Sequence, residues 1–459
     1  MCQYRQHHSY RQSLCSFPLE VVRGIGVRTA FPGGARWDAA SFKLLNWGGN
    51  VMKKFFIFVF HAIFLAGFSI SAVPVSASEP IKIGILGPFT GSLAFNASEM
   101  RKGMELALDG VNSKGGLFGR QVELVFGDTE AKPDKGLAAV KKLVTRDNVL
   151  VVGGGYASSV NIATSEFCHY EGCPNVVAIA ISPTITARGY DFVFRTSPNS
   201  PQFLEGVNEW LEKIKRPKTV AFFMENSDYG RDGQKIWEAQ CKKLGAKVLG
   251  SFYFEIGSSD FTAPISKLKD LKPDVVFSIA STTEAALIQR QAKELNFVSQ
   301  WIGVGGQFTE AFFEMTGPVS EYAMGSSLEP TKAMKDPITA AFVNAYKAKF
   351  PESRPGIFSS QGYDNLMVIV DAIKRAGEPT GNLVADRKKI RDALKVTDIR
   401  LSQGLIQFDE TGQVFTVFPS PVQVQLDENC KPDTQIIFPP ERAASEYQVP
   451  KPWAERRCK

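Results

Sequence analysis

The stretch Val149–Ser159, Val-Leu-Val-Val-Gly-Gly-Gly-Tyr-Ala-Ser-Ser, constrains the fold more than any other part of the chain. Four consecutive apolar residues read as a strand covered on both faces, the setting of a parallel sheet. Three glycines then allow a tight turn free of Cβ clashes. From Ser158 to Phe167 the chain can continue as a helix. Strand, turn and helix N-terminus gather backbone N–H groups and the hydroxyls of Ser158 and Ser159 around one point, and such a point favours an anion. The Gly-x-Gly-x-x-Gly spacing of a dinucleotide loop is not met, because position 158 is Ser. A βα turn without a ligand is the other alternative.

The flanking pattern supports a parallel sheet. Ile81–Gly87 reads as a strand, and Asn96–Lys114 as a helix with Met100, Met104, Ala107, Leu108 and Val111 on one stripe, stopped by Gly115-Gly116. Gln121–Phe126 is a strand, Pro133–Arg146 a helix opened by its proline, and Asn175–Ile181 and Phe192–Phe194 are further strands. This βαβαβ order implies parallel strands with right-handed crossovers. The pattern restarts after Pro198-Asn199-Ser200-Pro201, with strands at Thr219–Met224, Val248–Phe254, Asp274–Ala280 and Trp301–Val304 and helices between them. Helices then dominate at Pro337–Phe350, Phe358–Ala376 and Asp386–Leu394, and Leu405–Phe408 and Val414–Leu426 alternate like strands. The tail from Asp427 is proline-rich and is expected to be irregular. The fold class is α/β, with two similar halves and a cleft between them.

The formal charge of +6 comes from the front of the chain. Residues 1–51 hold six Lys/Arg against two Asp/Glu, and Lys53 and Lys54 add two more, so the part from Ser78 onward is neutral with 45 of each sign. No nucleic-acid footprint is present there. Lys53-Lys54, the apolar run Phe55–Ile70 and the small residues Val75-Ser76-Ala77 form a secretory signal that starts at Met52 and is cleaved before Ser78. A retained membrane anchor is the alternative, but Ser69, Ser71, Pro74 and Ser76 interrupt a run already short of the ~20 residues a span needs. No Cys follows the cleavage point to carry a lipid. Residues 1–51 are expected to be an upstream extension that is not part of the native protein.

Export places the cysteines in an oxidising compartment. Cys168 and Cys173 lie close enough in sequence to bridge around a helix end, Cys430 and Cys458 bracket the tail and can pair, and Cys241 falls in a helical pattern and is expected to be buried. Cys168-His169-Cys173 offers only three metal ligands with no second cluster, so no metal is expected. His169 is the one histidine after the signal and has no recognisable nucleophile–base partner, which argues against an enzyme.

Several stretches resemble, in the same order, the solute-binding proteins of ABC importers of the branched-chain amino acid (leucine/isoleucine/valine) type. They are Ile83–Pro88 with Thr90-Gly91, Val111–Gly119, Gly127-Asp128-Thr129, Thr186–Tyr190 with Phe194-Arg195, Tyr229-Gly230 and Gln361-Gly362-Tyr363-Asp364. Each motif is weak alone; their shared order from Ile81 to about Val424 carries the resemblance. It implies a type I periplasmic-binding fold, a Venus flytrap of two Rossmann-like lobes joined by three crossings, near Ser197, Ser327 and Gly404. Lobe 1 would comprise 78–197 plus 328–404, lobe 2 198–327 plus 405–426, with the tail at 427–459.

The resemblance also implies a ligand, an amino acid held as a zwitterion. Its carboxylate would meet Ala157 and Ser158 and the loop Ser182–Thr186, where Thr184 offers a backbone N–H and Thr186 a hydroxyl. Its ammonium would meet Glu284, at the start of a second-lobe helix; a helix-start Glu that only favours the dipole is the plainer reading. Tyr229 would line the second-lobe wall and Phe358 would play a similar part. The chain departs from the pattern at Asn96, where relatives carry an aromatic, at Ala157, where they carry serine, and in the shortened loop Ile185–Ala187. The function implied is capture of an amino acid or similar small solute, without a cofactor, and delivery in the periplasm to an ABC permease and its ATPase subunits. The alternatives are an amide, urea or aromatic acid as ligand, or a ligand sensor.

Overall fold

The computed structural model of the protein describes residues 79–304 and 306–458; the expected signal at 52–77 and the extension at 1–51 lie outside the described residues. Strands β1 (Ile81–Gly87), β2 (Val122–Asp128), β3 (Val151–Gly154), β4 (Asn175–Val177) and β5 (Val193–Arg195) form a five-stranded sheet in the order β2-β1-β3-β4-β5. Every pairing in it is parallel. Helices α1 (Ala94–Asn112), α2 (Pro133–Lys141), α3 (Ser158–Tyr170) and the single turn α4 (Thr184–Ala187) connect these strands. The glycine-turn strand sits two residues later than its apolar run predicts. Ile83–Leu86 of β1 pair with Val151–Gly154, so Val149 and Leu150 are a buried lead-in and the first two glycines belong to the strand.

The second sheet is built from α5 (Ser200–Trp210), β6 (Thr219–Glu225), α6 (Asp228–Leu244), β7 (Lys247–Phe254), α7 (Thr262–Leu271), β8 (Val275–Ile279), α8 (Thr282–Glu294), β9 (Gln300–Val304), α9 (Glu310–Thr316) and β10 (Met324–Ser327). Its five parallel strands run β7-β6-β8-β9-β10; the central strands β6, β8 and β9, with apolar runs such as Val-Ala-Phe-Phe-Met in β6, are buried on both faces, whereas the edge strand β7 is largely exposed.

The chain then returns to the first sheet through α10 (Pro337–Lys349), α11 (Ile357–Ala376) and α12 (Leu383–Lys395). Helix α11 lies directly on α1. A Cβ at Gly362 would stand 2.1 Å from the carbonyl oxygen of Met100, so glycine is what permits this approach. The hairpin β11 (Asp398–Leu401) and β12 (Gly404–Gln407) follows, and Asp364 of α11 holds its turn by accepting from the backbone N–H and side chain of both Ser402 and Gln403.

Two expectations are corrected in the last part of the chain. The third crossing, expected near Gly404 with 405–426 in the second lobe, lies beyond Val414. Arg195 N–H donates to the Gly412 carbonyl and Val414 N–H to the Arg195 carbonyl, which keeps this segment on the edge of the first sheet. Only β13 (Ser420–Leu426) joins the second sheet, antiparallel to β10. The tail is not irregular throughout: β14 (Pro432–Ile436) extends that sheet as its edge. Pro432 stands at the strand's first position, where a proline is tolerated. Beyond it, Tyr447 donates to Gln300 Oε1 (2.9 Å), the Trp453 indole donates to the Phe297 carbonyl (3.1 Å), and the Arg456 guanidinium covers the Trp453 ring.

Cys430 and Cys458 form a disulfide that closes this tail. Cys168 and Cys173 do not bridge. Both are free and buried in an apolar cluster with Val140, Leu143 and Val152. What spans the end of α3 is a backbone hydrogen bond from Cys173 N–H to the Cys168 carbonyl (2.9 Å). Burial raises both thiols above their usual range, which keeps them protonated. Cys241 is buried and free. An alkylating reagent in denaturant without reductant should therefore label Cys168, Cys173 and Cys241 and spare Cys430 and Cys458. Mass spectrometry that finds Cys168 and Cys173 unlabelled would restore the short bridge.

Candidate ligand-binding site

The carboxyl ends of β3, β6 and β8 and the start of α11 surround a cavity of about 60 Å³, several times the ~10–15 Å³ that one water needs. Ligands of open α/β sheets bind at this end of the strands. Leu93, Ile179, Ile181, Phe203, Ile256 and Phe358 supply apolar walls, and Ser158, Ser159, Glu225, Ser227, Ser281 and Gln361 the polar points.

The anion-binding end is the glycine turn. Gly155 has a φ of +90°, and a Cβ there would meet Asn161 Oδ1 at 2.1 Å, so the turn cannot carry a side chain. It delivers the N-terminus of α3 to the cavity through Ala157, Ser158 and Ser159. No side chain caps this helix. Its first N–H groups have no intrahelical partner and face the cavity with the positive end of the dipole.

The second sheet contributes a carboxyl group to the wall. Glu225, the last residue of β6, lines the cavity and is only 4% exposed. Ser227 donates to its Oε1 (2.6 Å) and Ser281 to its Oε2 (3.2 Å). Among the described residues no Lys, Arg or His forms an ion pair with it. Burial pushes the Glu225 carboxyl above its usual range; the Ser227 and Ser281 hydrogen bonds pull the other way and the negative charge of Glu284 adds to the push. Tyr156 and Tyr229 also line the cavity, and burial raises both phenols so that they remain neutral hydrogen-bond donors. Tyr156 packs edge-on against Phe358 (5.5 Å between ring centroids), and Tyr229 donates to the Val304 carbonyl (3.2 Å).

Ala157, Ser158, Tyr229 and Phe358, singled out in the sequence, are brought together here. Four others are not on the cavity wall. Thr184 is exposed on α4, and its N–H donates to Ser182 Oγ. Thr186 is buried but serves Arg195: its Oγ1 accepts from that guanidinium (3.0 Å) and donates to Gln413 (3.3 Å). Arg195 itself is fully buried and also donates to Gln413 Oε1 (2.7 Å) and to the carbonyls of Ala180 (3.1 Å) and Ser182 (2.6 Å). Glu284 is 2% exposed and stands behind the wall; its Oε1 accepts from Gly257 N–H (2.8 Å) and its Oε2 has no partner among the described residues. Asn96 joins the lobes. It donates to the Tyr156 hydroxyl (2.6 Å) and accepts from Thr282 Oγ1 at the start of α8 (3.1 Å).

Further hydrogen bonds cross the cleft. Ser182 donates to the Asp232 carboxylate on α6, and Arg354 pairs with Glu310 of α9 (3.2 Å). Glu225 and Gln361 are cavity residues the sequence reading left out. For Glu225 the available signal was its place at the carboxyl end of a buried parallel strand.

The profile of the periplasmic binding protein family matches residues 80–418. The leucine-, isoleucine-, valine-, threonine- and alanine-binding protein of Pseudomonas aeruginosa is 30% identical over 364 residues, which span 78% of this chain and 94% of that protein. The solved leucine-binding protein of Thermotoga maritima is 26% identical with a TM-score of 0.70, covering 79% of this chain and 99% of its own. A solute-binding protein of an ABC transporter from Rhodopseudomonas palustris, solved with 3,4-dihydroxybenzoic acid, has a TM-score of 0.70 at 22% identity, covering 82% of this chain and 99% of its own, and shares the fold. The chain belongs to the periplasmic binding protein family, and its class of function is the capture of a solute between two α/β lobes, not catalysis.

Proposed function

We propose that the protein captures an apolar or small polar amino acid as a zwitterion in the periplasm and hands it to the permease of an ABC importer. The observation that carries this reading is one small cavity lined both by an uncapped helix N-terminus from the first sheet and by a buried carboxyl group from the second that has no ion-pair partner among the described residues. The α-carboxylate meets the Ser158–Ser159 end of α3. The α-ammonium meets Glu225, with the charge of Glu284 behind it. The side chain lies among Leu93, Ile179, Ile181, Phe203 and Phe358. The amino acids named for the Pseudomonas aeruginosa relative fit this chemistry. An aromatic acid, the ligand in the Rhodopseudomonas palustris structure, has no cation to offer Glu225 and is disfavoured.

A thermal-shift screen of amino acids, amides and aromatic acids tests the reading, since a ligand at ~100 times its dissociation constant adds roughly 2.7 kcal/mol of stability. An aromatic acid that stabilises the protein when no amino acid does overturns it.

The raised Glu225 carboxyl gives binding a pH dependence. Below its folded value Glu225 is protonated and offers the ammonium no charge; affinity should rise as pH climbs through that value and then level off. The ligand-free protein should show the opposite sign. A carboxyl that holds its proton more tightly when folded contributes stability at acidic pH that is lost as pH rises from the unfolded value through the folded one. Calorimetric titrations from mildly acidic to neutral pH read the first effect, and a flat profile would remove Glu225 from the ammonium site.

A further inference from the structure

We infer that Gln361 sets the selectivity of the cavity by offering its side-chain amide to a hydroxyl or amide on the side chain of the bound amino acid; this rests on the amino acid reading above. Gln361 lines the cavity, is 1% exposed, and its Oε1 has no hydrogen-bond partner among the described residues. A buried amide oxygen without a partner costs free energy, and native proteins rarely leave one so.

Its position is fixed by its neighbours. Gly362 locks α11 against Met100 of α1. One turn past Gln361, Asn365 accepts from Gly154 N–H (3.1 Å) and donates to the Val176 carbonyl (3.0 Å), tying α11 to β3 and β4. With both contacts made, Gln361 shares the cavity-facing side of α11 with Ile357 and Phe358, four and three residues earlier.

The carboxylate does not need this amide. The uncapped α3 terminus and the Ser158 and Ser159 hydroxyls already provide its donors. The ammonium does not need it either, because Glu225 of β6 is there to meet it. Gln361 stands in the otherwise apolar wall, where the ligand's side chain lies. A polar side-chain group there satisfies the amide; a purely aliphatic side chain of equal size leaves it unpaired. Sites built to hydrogen-bond a ligand group discriminate against the analogue that lacks it.

Threonine and valine are near-isosteric and differ in the hydroxyl, so their affinity ratio is the readout. The purified protein and the variants Gln361→Met and Gln361→Leu are titrated calorimetrically with each amino acid, with melting temperatures as the check on folding. Met keeps the length of the side chain in case Leu disturbs packing. The expected result is a fall in the threonine-to-valine affinity ratio of ~10- to 100-fold in both variants, from lost threonine binding and gained valine binding. An equal loss for both amino acids assigns Gln361 to the ligand's main chain or to packing and overturns the inference. An unchanged ratio with unchanged affinities also overturns it. If the unmodified protein binds neither amino acid nor any other, the amino acid reading fails and takes this one with it; if it binds both and the ratio does not move, only Gln361 fails.

Discussion

Glu225→Gln should weaken amino acid binding by roughly 30-fold to several thousand-fold, the equivalent of ~2–5 kcal/mol for removing one partner of a buried charged pair. The substitution keeps the size; the amide oxygen still accepts from one of Ser227 and Ser281, and the amide NH2 faces the other, whose hydroxyl can turn to accept. What is lost is the charge that would compensate the ammonium in a buried cavity. The fold should survive, because a buried carboxylate without a counterion is a burden on the ligand-free protein. Its melting temperature should hold or rise near neutral pH. Glu284→Gln should cost less, since Glu284 stands behind the wall and its Oε1 is committed to Gly257 N–H. Calorimetric titration of both variants with the best amino acid decides the order. A larger loss in Glu284→Gln would make Glu284 the ammonium partner, and no loss in Glu225→Gln would end the zwitterion reading.

Arg195→Met should destabilise the protein by about 3–5 kcal/mol, because four buried neutral acceptors lose their donor and each buried group left unsatisfied costs ~1–3 kcal/mol. The guanidinium donates to Gln413 Oε1, Thr186 Oγ1 and the carbonyls of Ala180 and Ser182, all in the interior. Hydrogen bonds to a charged group contribute ~1.5–3 kcal/mol each, and the recovered cost of burying the cation offsets part of that sum. Arg195→Lys should not rescue, because a single ammonium cannot span four acceptors that a planar fork reaches. Affinity should fall as well, since Ala180 and Ile181 line the cavity and lose their anchor. Urea unfolding of wild type and both variants measures the first effect. A loss below about 1 kcal/mol in Arg195→Met would mean that the four acceptors find other partners.

The elements legible in the sequence were those whose meaning is local. The apolar runs of β1, β6, β8 and β9 and the stripe of α1 show themselves by period, and the three glycines announce a turn before α3. The site was legible where a helix start made it, at Ala157 and Ser158. It was not legible where long-range contacts reassign a side chain. Thr186 has the right chemistry for a carboxylate, but Arg195, nine residues on, takes its hydroxyl. Glu225 ends an apolar strand, and nothing local tells a carboxylate turned into a cleft from one turned into solvent. Cys168 and Cys173 have a spacing that suits a bridge, yet the buried apolar cluster holds them as separate thiols. The crossing at Gly404 was misplaced because the bond between Arg195 and Gly412 pairs segments more than two hundred residues apart.

The bonds across the cleft, from Thr282 to Asn96 and from Ser182 to Asp232, are made by the protein with itself. They belong to the shut arrangement and do not require a ligand. Each therefore raises the fraction of empty molecules that are shut, and a ligand adds only the difference between its contacts in the two arrangements. A ligand must favour one state about ten-thousand-fold to carry a population from one per cent to ninety-nine. Every increment supplied by these protein bonds lowers that demand and tightens apparent binding. It also blurs the distinction between loaded and empty for any partner that reads shape alone. On the proposed function, Asn96 and Ser182 would tune a compromise between affinity and fidelity: weakening their bonds should cost capture, and strengthening them should make unladen molecules resemble loaded ones.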